Sequence, residues 1–345
     1  MVGVVIAEAI STFTASVELA FRSRAYWLTL TTTSSAPAVT VIVPSYNYAR
    51  YLPDALRGVL RQTLRNLEVL VVEDGSTDQS LAVARAFAAR DSRLRLLTHA
   101  DGKNHGLPAS LALAIPEARG RWTAFLEADD LWLPRCLERR LQAAERTAPS
   151  ASAGDGAGVV CNDVAPFIMP GADAAWFEAY VPRVMRWHAR QGRAAGDVRP
   201  FLLENKIPTF SCAMVRTAAL RDISLQTPVP RWLDWWVWAQ LAARVPFAFV
   251  PEKLTRWRLH PKSWHHKVEV FSYLEDFRRM GRGFRRLFAR DLARRERWSA
   301  LAFLYLPATL RLAARMALAA REDGLASALR RISGRVDAAR SIRKL

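Results

Sequence analysis

Apolar residues in the first third of the chain follow two alternating periods. Short β-branched runs occupy 39–43 and 68–72, whereas Leu52, Leu56 and Val59 recur at helical spacing between them. The first pattern predicts buried strands and the second predicts an amphipathic helix. Strands that alternate with helices in this way are typical of an α/β domain with a mostly parallel sheet.

The same alternation predicts further elements along the chain. They are a helix over 81–89, a strand over 94–98, a helix over 109–118, a strand over 122–127 and later strands at 159–161 and 211–215. Residues 147–158, rich in Ala, Ser and Gly, predict a surface loop. We therefore divide the chain into an N-terminal lead-in and linker (1–38), an α/β domain (39–262) and a helical extension (263–345).

Both ends of the chain are apolar enough to raise the question of a membrane segment. The opening residues lack an early Lys or Arg and contain Glu8 and Glu18, which disfavours a cleaved secretory signal. The apolar stretch 298–310 contains Pro307 and falls short of the ~20 residues that a spanning helix needs. We predict an amphipathic lead-in and no transmembrane helix.

The cysteine content and the net charge bear on the cellular compartment and on the kinds of partner to expect. The 345 residues can bury a large core, and the cysteines Cys136, Cys161 and Cys212 are too widely spaced for a disulfide framework or a zinc motif. A reducing, cytoplasmic location is expected. The formal net charge of +18 attracts anions in general and does not choose among phosphates, nucleic acid and acidic lipid.

The positive charge is concentrated after residue 278. The arginines are Arg278, Arg279, Arg282, Arg285, Arg286, Arg290, Arg294, Arg295 and Arg297, and the apolar residues interleaved with them or following are Phe284, Leu287, Phe288, Leu292, Trp298, Leu301 and Leu304. This pattern predicts basic helices with two alternatives for the apolar face. It lies on an anionic bilayer at the inner face of the membrane, or it packs on the α/β domain.

Candidate chemistry follows three of the predicted strands, at 44–52, 73–78 and 127–132. Ligands of open parallel sheets bind beyond the carboxyl ends of the strands. Asp74 is placed there to accept a hydrogen bond from a nucleotide base, or else it only makes the turn before Gly75. Asp78 is better explained as a cap for the helix that follows.

Three carboxyl groups, Glu127, Asp129 and Asp130, lie within four residues directly after an apolar strand. Their mutual repulsion would be relieved by Mg²⁺ or Mn²⁺, which prefer oxygen ligands and commonly complete their shell with substrate phosphates. The alternative is a solvated acidic turn.

Taken together and in order, these segments resemble the family 2 glycosyltransferases of the GT-A fold. The motifs are VTVIVPSYNYARYL (39–52), QTLRNLEVLVVEDGSTD (62–78), NHGLPAS (104–110), GRWTAFLEADDLWLP (120–134), RWLDWWVWAQLA (231–242) and LTRWRLHPKS (254–263). The resemblance covers about 225 residues. It implies a Rossmann-like, mostly parallel sheet flanked by helices, here with the basic C-terminal extension.

The resemblance implies roles for the residues of the donor site. Pro44, Tyr46 and Asp74 would hold the nucleoside, with Asp74 receiving the uracil N3–H. Asp129 would bind the metal and also contact the nucleotide, and Glu127 and Asp130 would support that metal site.

The end of the resemblance supplies further candidates. His260 would be a metal or diphosphate ligand, or a loop histidine bound to the backbone. Arg258 would neutralise phosphate charge. Asp234 would be the general base that takes the proton of the acceptor hydroxyl, with a helix N-cap as the alternative, and Trp235 would stack on the acceptor sugar.

Two departures from the family pattern concern these sites. Glu127 stands where the family usually has an aspartate, and Leu233 precedes the predicted base where Glu is common. In the NHGLPAS region, Leu111 and Ala112 replace the Arg-Asn pair that the family often carries there.

The sequence therefore predicts an inverting transferase that moves a sugar from a UDP-sugar to a saccharide or lipid-linked acceptor, in cell-surface polysaccharide or glycan synthesis. A nucleotidyltransferase is an alternative, but PSYNYAR (44–50) lacks the glycines of a phosphate loop. A nucleic-acid-binding protein would leave both acidic clusters unexplained, so no nucleic-acid partner is expected. An inactive scaffold of the same fold is the third alternative.

Overall fold

The computed structural model describes residues 36–147, 156–191, 198–261, 270–294 and 298–307, with a few further positions up to 317. The strands are β1 (Val39–Ser45), β2 (Leu67–Glu73), β3 (Leu94–Thr98), β4 (Trp122–Phe125), β5 (Leu131–Trp132), β6 (Val159–Ile168), β7 (Ala213–Arg216) and β8 (Phe247–Leu259). They form one eight-stranded sheet in the order β3-β2-β1-β4-β7-β6-β8-β5.

The helices cover both faces of this sheet. They are α1 (Leu52–Leu60), α2 (Ser80–Ala88), α3 (Leu107–Glu117), α4 (Cys136–Arg146), α5 (Ala175–Gln191), α6 (Arg199–Leu203), α7 (Thr217–Arg221), α8 (Leu233–Ala242), α9 (Val270–Arg294) and α10 (Trp298–Tyr305). Short 3₁₀ turns occupy Phe210–Cys212 and Pro230–Trp232. The α/β class and the helical C-terminal extension predicted from the sequence are confirmed.

The sheet changes direction halfway along. Strands β3, β2, β1 and β4 are parallel to one another. Strand β7 then runs antiparallel to both β4 and β6, and β5 runs antiparallel to β8. The sheet is therefore parallel in the half where strands and helices alternate in sequence, and mixed in the other half.

The central strands are buried on both faces, which explains their continuous apolar runs. In β1, Val39, Val41 and Val43 point to a core shared with α1, α2 and α4. Ile42 points to a second core shared with α3, α5, α8 and α9. This alternation follows from the two-residue period of a strand.

Most predicted elements match within two residues, and two differences affect the site. Strand β4 ends at Phe125, so Glu127, which the predicted strand 122–127 included, lies after the strand together with Asp129 and Asp130. Strand β8, thirteen residues long, is absent from the predicted elements. Most of the predicted loop 147–158 and the N-terminal lead-in up to residue 35 lie outside the described residues.

The apolar face of α9 packs on the α/β domain. Phe284 stacks on Trp236 of α8 with ring centroids 5.6 Å apart, and the neighbouring positions Phe277, Met280 and Phe288 are also buried. An ion pair between Arg231 and Asp276 joins α9 to the turn before α8. The alternative in which this apolar face enters a bilayer is therefore wrong for α9, because Trp235 and Trp236 of the α/β domain pack against it.

In the part of the chain that the structure describes, no helix is both long and apolar enough to cross a membrane.

Candidate active site

The carboxyl ends of β1, β2 and β4 meet at one edge of the sheet. Ser45, the last residue of β1, pairs with Glu73 at the end of β2, and Ile42 pairs with Phe125 at the end of β4. The three chemistry-bearing segments that follow these strands are thereby brought to the same edge.

The turns after β1 and β2 are fastened to each other by side-chain hydrogen bonds. Asn47, which has a positive φ of 58°, accepts hydrogen bonds from the backbone N–H groups of Thr77 at 2.8 Å and Asp78 at 3.3 Å. Asp78 accepts from the backbone of Ala49 and from Ser80 in the first turn of α2. Gln79 holds the N-cap position of α2, and Asp78, one residue earlier, accepts from the first N–H of the helix.

Asp74 lies at the centre of this corner and is buried. Its carboxylate accepts hydrogen bonds from Asn104 Nδ2, His105 N and Gly106 N, each at 2.8 Å, and His99 Nε2 lies 3.2 Å from Oδ1. Three N–H donors therefore bind the carboxylate, with the His99 imidazole beside it. Asp74 thus holds the 104–106 turn in place.

Gly75 explains why this corner needs a glycine. Its φ is +69°, and a Cβ there would lie 2.4 Å from the backbone carbon of Lys103. Any side chain would push the 102–104 turn away from Asp74. Pro44 is half-buried near the end of β1, and Tyr46, two residues later, is 42% exposed, so its side chain is accessible to a ligand.

The acidic cluster predicted from the sequence forms in space. One carboxylate oxygen each from Glu127, Asp129 and Asp130 lies within 4.8 Å of the others. Thr209 Oγ1 donates to Glu127 Oε2 at 2.5 Å and lies 3.3 Å from Asp130 Oδ2. The backbone N–H of Arg258 donates to Asp130 Oδ1 at 3.0 Å, so Asp130 is fully enclosed by protein.

These carboxyls are difficult to ionise together. Burial, followed by the charge of Asp129, raises the pKa of Glu127 to about 8. The same two causes raise the pKa of Asp130 well above its usual range. The cluster is therefore short of positive charge, and a small divalent cation with a preference for oxygen ligands fits it.

Asp129 is the carboxylate of the cluster with aromatic neighbours. His260 Nε2 lies 3.2 Å from its Oδ2, and Tyr48 forms a hydrogen bond with it. Burial and the three nearby carboxylates raise the pKa of Tyr48 above its usual range, so the hydroxyl keeps its proton and donates. The predicted placement of His260 beside the metal site agrees with this geometry.

Arg258 is used differently from the prediction. Its Nε donates to the backbone carbonyl of Asp129 at 2.7 Å and its Nη2 pairs with Asp54 at 3.4 Å. The guanidinium carbon lies 4.8 Å from the Tyr51 ring centroid and 4.9 Å from that of Phe167. This buried arginine holds the acidic turn in place, which leaves little of it for a phosphate.

Asp234, the predicted base, is half-buried in the first turn of α8. Its Oδ2 accepts from Asn205 Nδ2 and its Oδ1 from the backbone N–H of Trp235, both at 2.7 Å. It lies inside the helix, one residue after Leu233, and Trp232 holds the N-cap position. Burial raises the pKa of Asp234 to about 7, which is near the value that suits a general base at neutral pH.

Three of the four tryptophans around Asp234 belong to the core. Trp235 is buried, donates its indole N–H to the Phe201 carbonyl and packs against Phe277 and Phe284. Its ring faces are covered by protein, so the prediction that it stacks on a sugar is wrong. Trp232 is half-buried, and its ring centroid lies 5.5 Å from that of Trp235.

Four residues that contact the acidic groups were absent from the sequence-based predictions. They are Tyr48, Asn205, Thr209 and Ser211, whose Oγ accepts from the backbone N–H of Glu127 at 2.9 Å. Three of them lie in NKIPTFS (205–211), a stretch without helical or strand periodicity. The only sequence signal was a set of polar residues directly before a strand, interrupted by Ile207, Pro208 and Phe210.

The comparison with protein-family models identifies the chain. The model described as Glycosyl transferase family 2 matches residues 40–223, more than half of its length. The match begins one residue into β1 and includes both acidic strand ends. This chain belongs to glycosyl transferase family 2.

Curated relatives share about a third of the chain. The uncharacterized glycosyltransferase EpsJ of Bacillus subtilis is 34% identical over 110 residues, 32% of this chain and 31% of the relative. The UDP-Glc:alpha-D-GlcNAc-diphosphoundecaprenol beta-1,3-glucosyltransferase WfgD of Escherichia coli is 37% identical over 103 residues, 30% of this chain and 39% of the relative. These matches span less than half of each relative.

Two solved structures share the fold. TarS 1–349 of S. aureus, in complex with UDP-GlcNAc, has a TM-score of 0.54 and 17% identity, with 72% of this chain and 66% of that chain covered. The mannosyltransferase PcManGT of Pyrobaculum calidifontis, in complex with GDP-Man and Mn²⁺, has a TM-score of 0.50 and 20% identity, with 88% and 81% covered. The predicted GT-A fold is thereby confirmed.

Proposed function

We propose that this protein transfers a sugar, with inversion, from a UDP-sugar to a saccharide or lipid-linked acceptor. The observation that carries the proposal is one sheet edge holding a candidate nucleoside corner, an acidic cluster and a carboxyl with a pKa of about 7. Relatives named for teichuronic acid biosynthesis and for glucosyl transfer to a diphosphoundecaprenol-linked sugar support a role in cell-surface polysaccharide synthesis.

The donor nucleoside is assigned to the corner formed by Pro44, Tyr46 and Asp74. Of the four groups in polar contact with the Asp74 carboxylate, His99 is the most distant, at 3.2 Å. We infer that the uracil N3–H replaces this histidine, while the backbone donors of the 104–106 turn stay in place. Cytosine, with an unprotonated N3, offers no such donor.

The diphosphate is assigned to the acidic cluster. Asp129 and Glu127 would hold Mg²⁺ or Mn²⁺, with His260 beside Asp129, and the bound cation would neutralise the charge of the departing diphosphate. Asp130 and Arg258 hold the turn that carries these ligands.

The acceptor is assigned to the side of Asp234. Its carboxylate takes the proton of the acceptor hydroxyl while the acceptor oxygen bonds to the anomeric carbon from the face opposite the diphosphate. The bond from that carbon to the phosphate oxygen breaks, and UDP leaves with the electron pair. Trp232, half-buried two residues before Asp234, is the aromatic side chain assigned to the acceptor ring.

The basic extension is assigned to an anionic membrane surface. Arg286, Arg290 and Arg294 are exposed and spaced four residues apart on α9, so they lie along one face of the helix. The opposite, apolar face is packed on the domain. The attachment we propose is therefore electrostatic and peripheral, at the cytoplasmic side of the membrane, without insertion of α9.

Thermal-shift titration tests the proposal. UDP, CDP, GDP and TDP are each added with and without Mn²⁺, and UDP with Mn²⁺ is expected to stabilise the protein most. Equal stabilisation by UDP and CDP contradicts the nucleoside assignment, and stabilisation by GDP alone replaces it with a guanosine donor. The selected UDP-sugars are then assayed for UDP release in the presence of saccharide and lipid-diphosphate acceptors.

A further inference from the structure

The segment 204–211 joins α6 to β7 and brings polar side chains to the acidic groups of both halves of the site. Asn205 donates to Asp234, whereas Thr209 donates to Glu127. The segment therefore contacts the candidate base and the candidate metal cluster at once.

Contacts to the Asn205 carbonyl and to the adjacent Glu204 fix the backbone around Asn205. Its carbonyl accepts from the Tyr180 hydroxyl at 2.6 Å. The adjacent Glu204 forms a buried ion pair with Arg183 and another, at 3.0 Å, with Lys206 Nζ. Removing one partner from a buried ion pair is strongly destabilising, so these neighbours keep the segment in one conformation.

The orientation of the Asn205 amide is settled by its second hydrogen bond. Its Oδ1 accepts from the backbone N–H of Ile207 at 3.1 Å, which fixes the oxygen on that side. The NH₂ group must then face Asp234 Oδ2, as observed. With the Trp235 N–H on Oδ1, each carboxylate oxygen of Asp234 has one fixed donor and at least one lone pair left for the acceptor proton.

We propose that Asn205 is the positioning residue of the catalytic base, an inference that rests on the proposed role of Asp234. Its amide fixes the plane of the Asp234 carboxylate and stabilises the ionised form, which is the form that accepts a proton. Burial raises the pKa of Asp234, and the hydrogen bonds from Trp235 and Asn205 oppose that rise; the charge of Asp234 in turn helps to raise the pKa of Glu127. Arg183 and Lys206 are directed to Glu204 instead.

The decisive variant is Asn205→Asp, which keeps an oxygen for the Ile207 N–H but replaces the donor by a second carboxyl group. The acidic limb of the pH profile of kcat for UDP-sugar turnover is expected to move to higher pH by about one unit or more, with KM for the donor unchanged. Asn205→Ala should move the limb in the same direction by less, because it removes the donor without adding charge.

The matched control is Gln240→Ala, on α8, the helix that also carries Asp234. Gln240 bonds the backbone N–H and carbonyl of Ser224, away from Asp234. It should lower the melting temperature and leave the pH profile in place. UDP binding with Mn²⁺, measured by calorimetry, confirms that each variant retains the donor site.

The inference is overturned if the pH profile of kcat is the same in both Asn205 variants as in the wild type, so that the variants lose only thermal stability. If both Asn205 variants lose turnover while they still bind UDP with Mn²⁺, only kcat has changed, and the positioning role is supported. If Asp234→Asn itself retains turnover, the proposed base is wrong. If Asp234→Asn loses turnover while the Asn205 profiles stay unmoved, only the positioning role fails.

Discussion

Asp234 combines two properties that a general base needs. Its burial raises its pKa to about 7, so it is basic enough to take a proton and still largely ionised at slightly alkaline pH. Asn205 and the Trp235 N–H limit the rise by donating to the carboxylate. An exposed aspartate, with its usual lower pKa, would be a weaker base.

Replacing Asp234 by Asn should therefore separate binding from chemistry. The amide keeps the size of the carboxyl but cannot accept the acceptor's proton at neutral pH. We expect kcat to fall by ~10²-fold or more, with Mn²⁺-dependent UDP binding nearly unchanged. Steady-state kinetics at saturating donor measure this, and Asp222→Asn, an exposed aspartate after α7, serves as the control. Turnover close to wild type would refute the base assignment.

Asp129 is the carboxylate on which the metal assignment depends most. Because Asp130 is enclosed by Arg258 N and Thr209, it cannot turn to replace Asp129. We expect Asp129→Ala to abolish the extra thermal stabilisation that Mn²⁺ gives to the UDP complex, while Asp222→Ala retains it. Saturating a site 100-fold above Kd contributes about 2.7 kcal/mol, so the loss is measurable by thermal shift. An unchanged Mn²⁺ increment would exclude Asp129 as a ligand.

At the residue scale, the sequence could place the acidic groups but not their partners. Asp74 and Asp129 follow strands directly, so the strand pattern alone brings them to one sheet edge. Asn205 and Thr209 reach Asp234 and Glu127 across 29 and 82 positions of the chain. Contacts of that separation are decided by tertiary packing, which no local pattern records.

At the scale of elements, β8 shows why the second half of the sheet was harder to predict. The strand contains Pro251, Glu252 and Lys253, and a proline within an apolar run argues against a strand. The structure accommodates these residues at register shifts opposite Asp163 of β6. In the first half, β1, β2 and β4 are buried along almost their whole length, and β1 pairs with β2 and β4 without a register shift.

Helix α9 carries the prediction on membrane attachment. Reversing three exposed charges, Arg286→Glu, Arg290→Glu and Arg294→Glu together, should weaken binding to vesicles containing phosphatidylserine by 10²-fold or more, since each basic residue contributes about 1 kcal/mol near an anionic surface. Flotation at two salt concentrations measures it.

The matched variant keeps the charge and changes the side chain, with lysine at the same three positions. It should bind vesicles as the wild type does. If the wild type shows no salt-sensitive binding, or if the glutamate variant floats equally well, α9 has no role at the membrane and the preference for a lipid-linked acceptor loses its support.

At the scale of the whole molecule, the net charge of +18 affects every comparison made at different pH. Acid adds further positive charge and increases self-repulsion in the compact state. The stability of the wild type alone therefore mixes this general effect with the titration of individual buried groups. The difference between wild type and a variant measured at the same pH largely removes the general effect.

The difference in free energy of unfolding between the wild type and an Asp234 variant, followed over pH, measures how far burial shifts the pKa of Asp234. Its pKa is about 7 in the folded protein against 3.8 ordinarily, so the folded state holds the proton more tightly. The stabilisation this gives is present below about pH 4 and is lost as the pH rises towards 7.

Asp234→Asn has no such loss, so its free energy of unfolding relative to wild type should rise between pH 5 and 8, by on the order of 1 to 3 kcal/mol. The amide introduced at position 234 also changes the hydrogen bond with Asn205. That change is independent of pH, so it shifts the plot of the free-energy difference against pH without altering its slope. Urea unfolding without nucleotide or metal measures the effect, and the exposed Asp222→Asn should give a flat difference. A flat difference for Asp234→Asn as well would mean that Asp234 titrates as an ordinary aspartate, and the near-neutral pKa on which its role as a base depends would be lost.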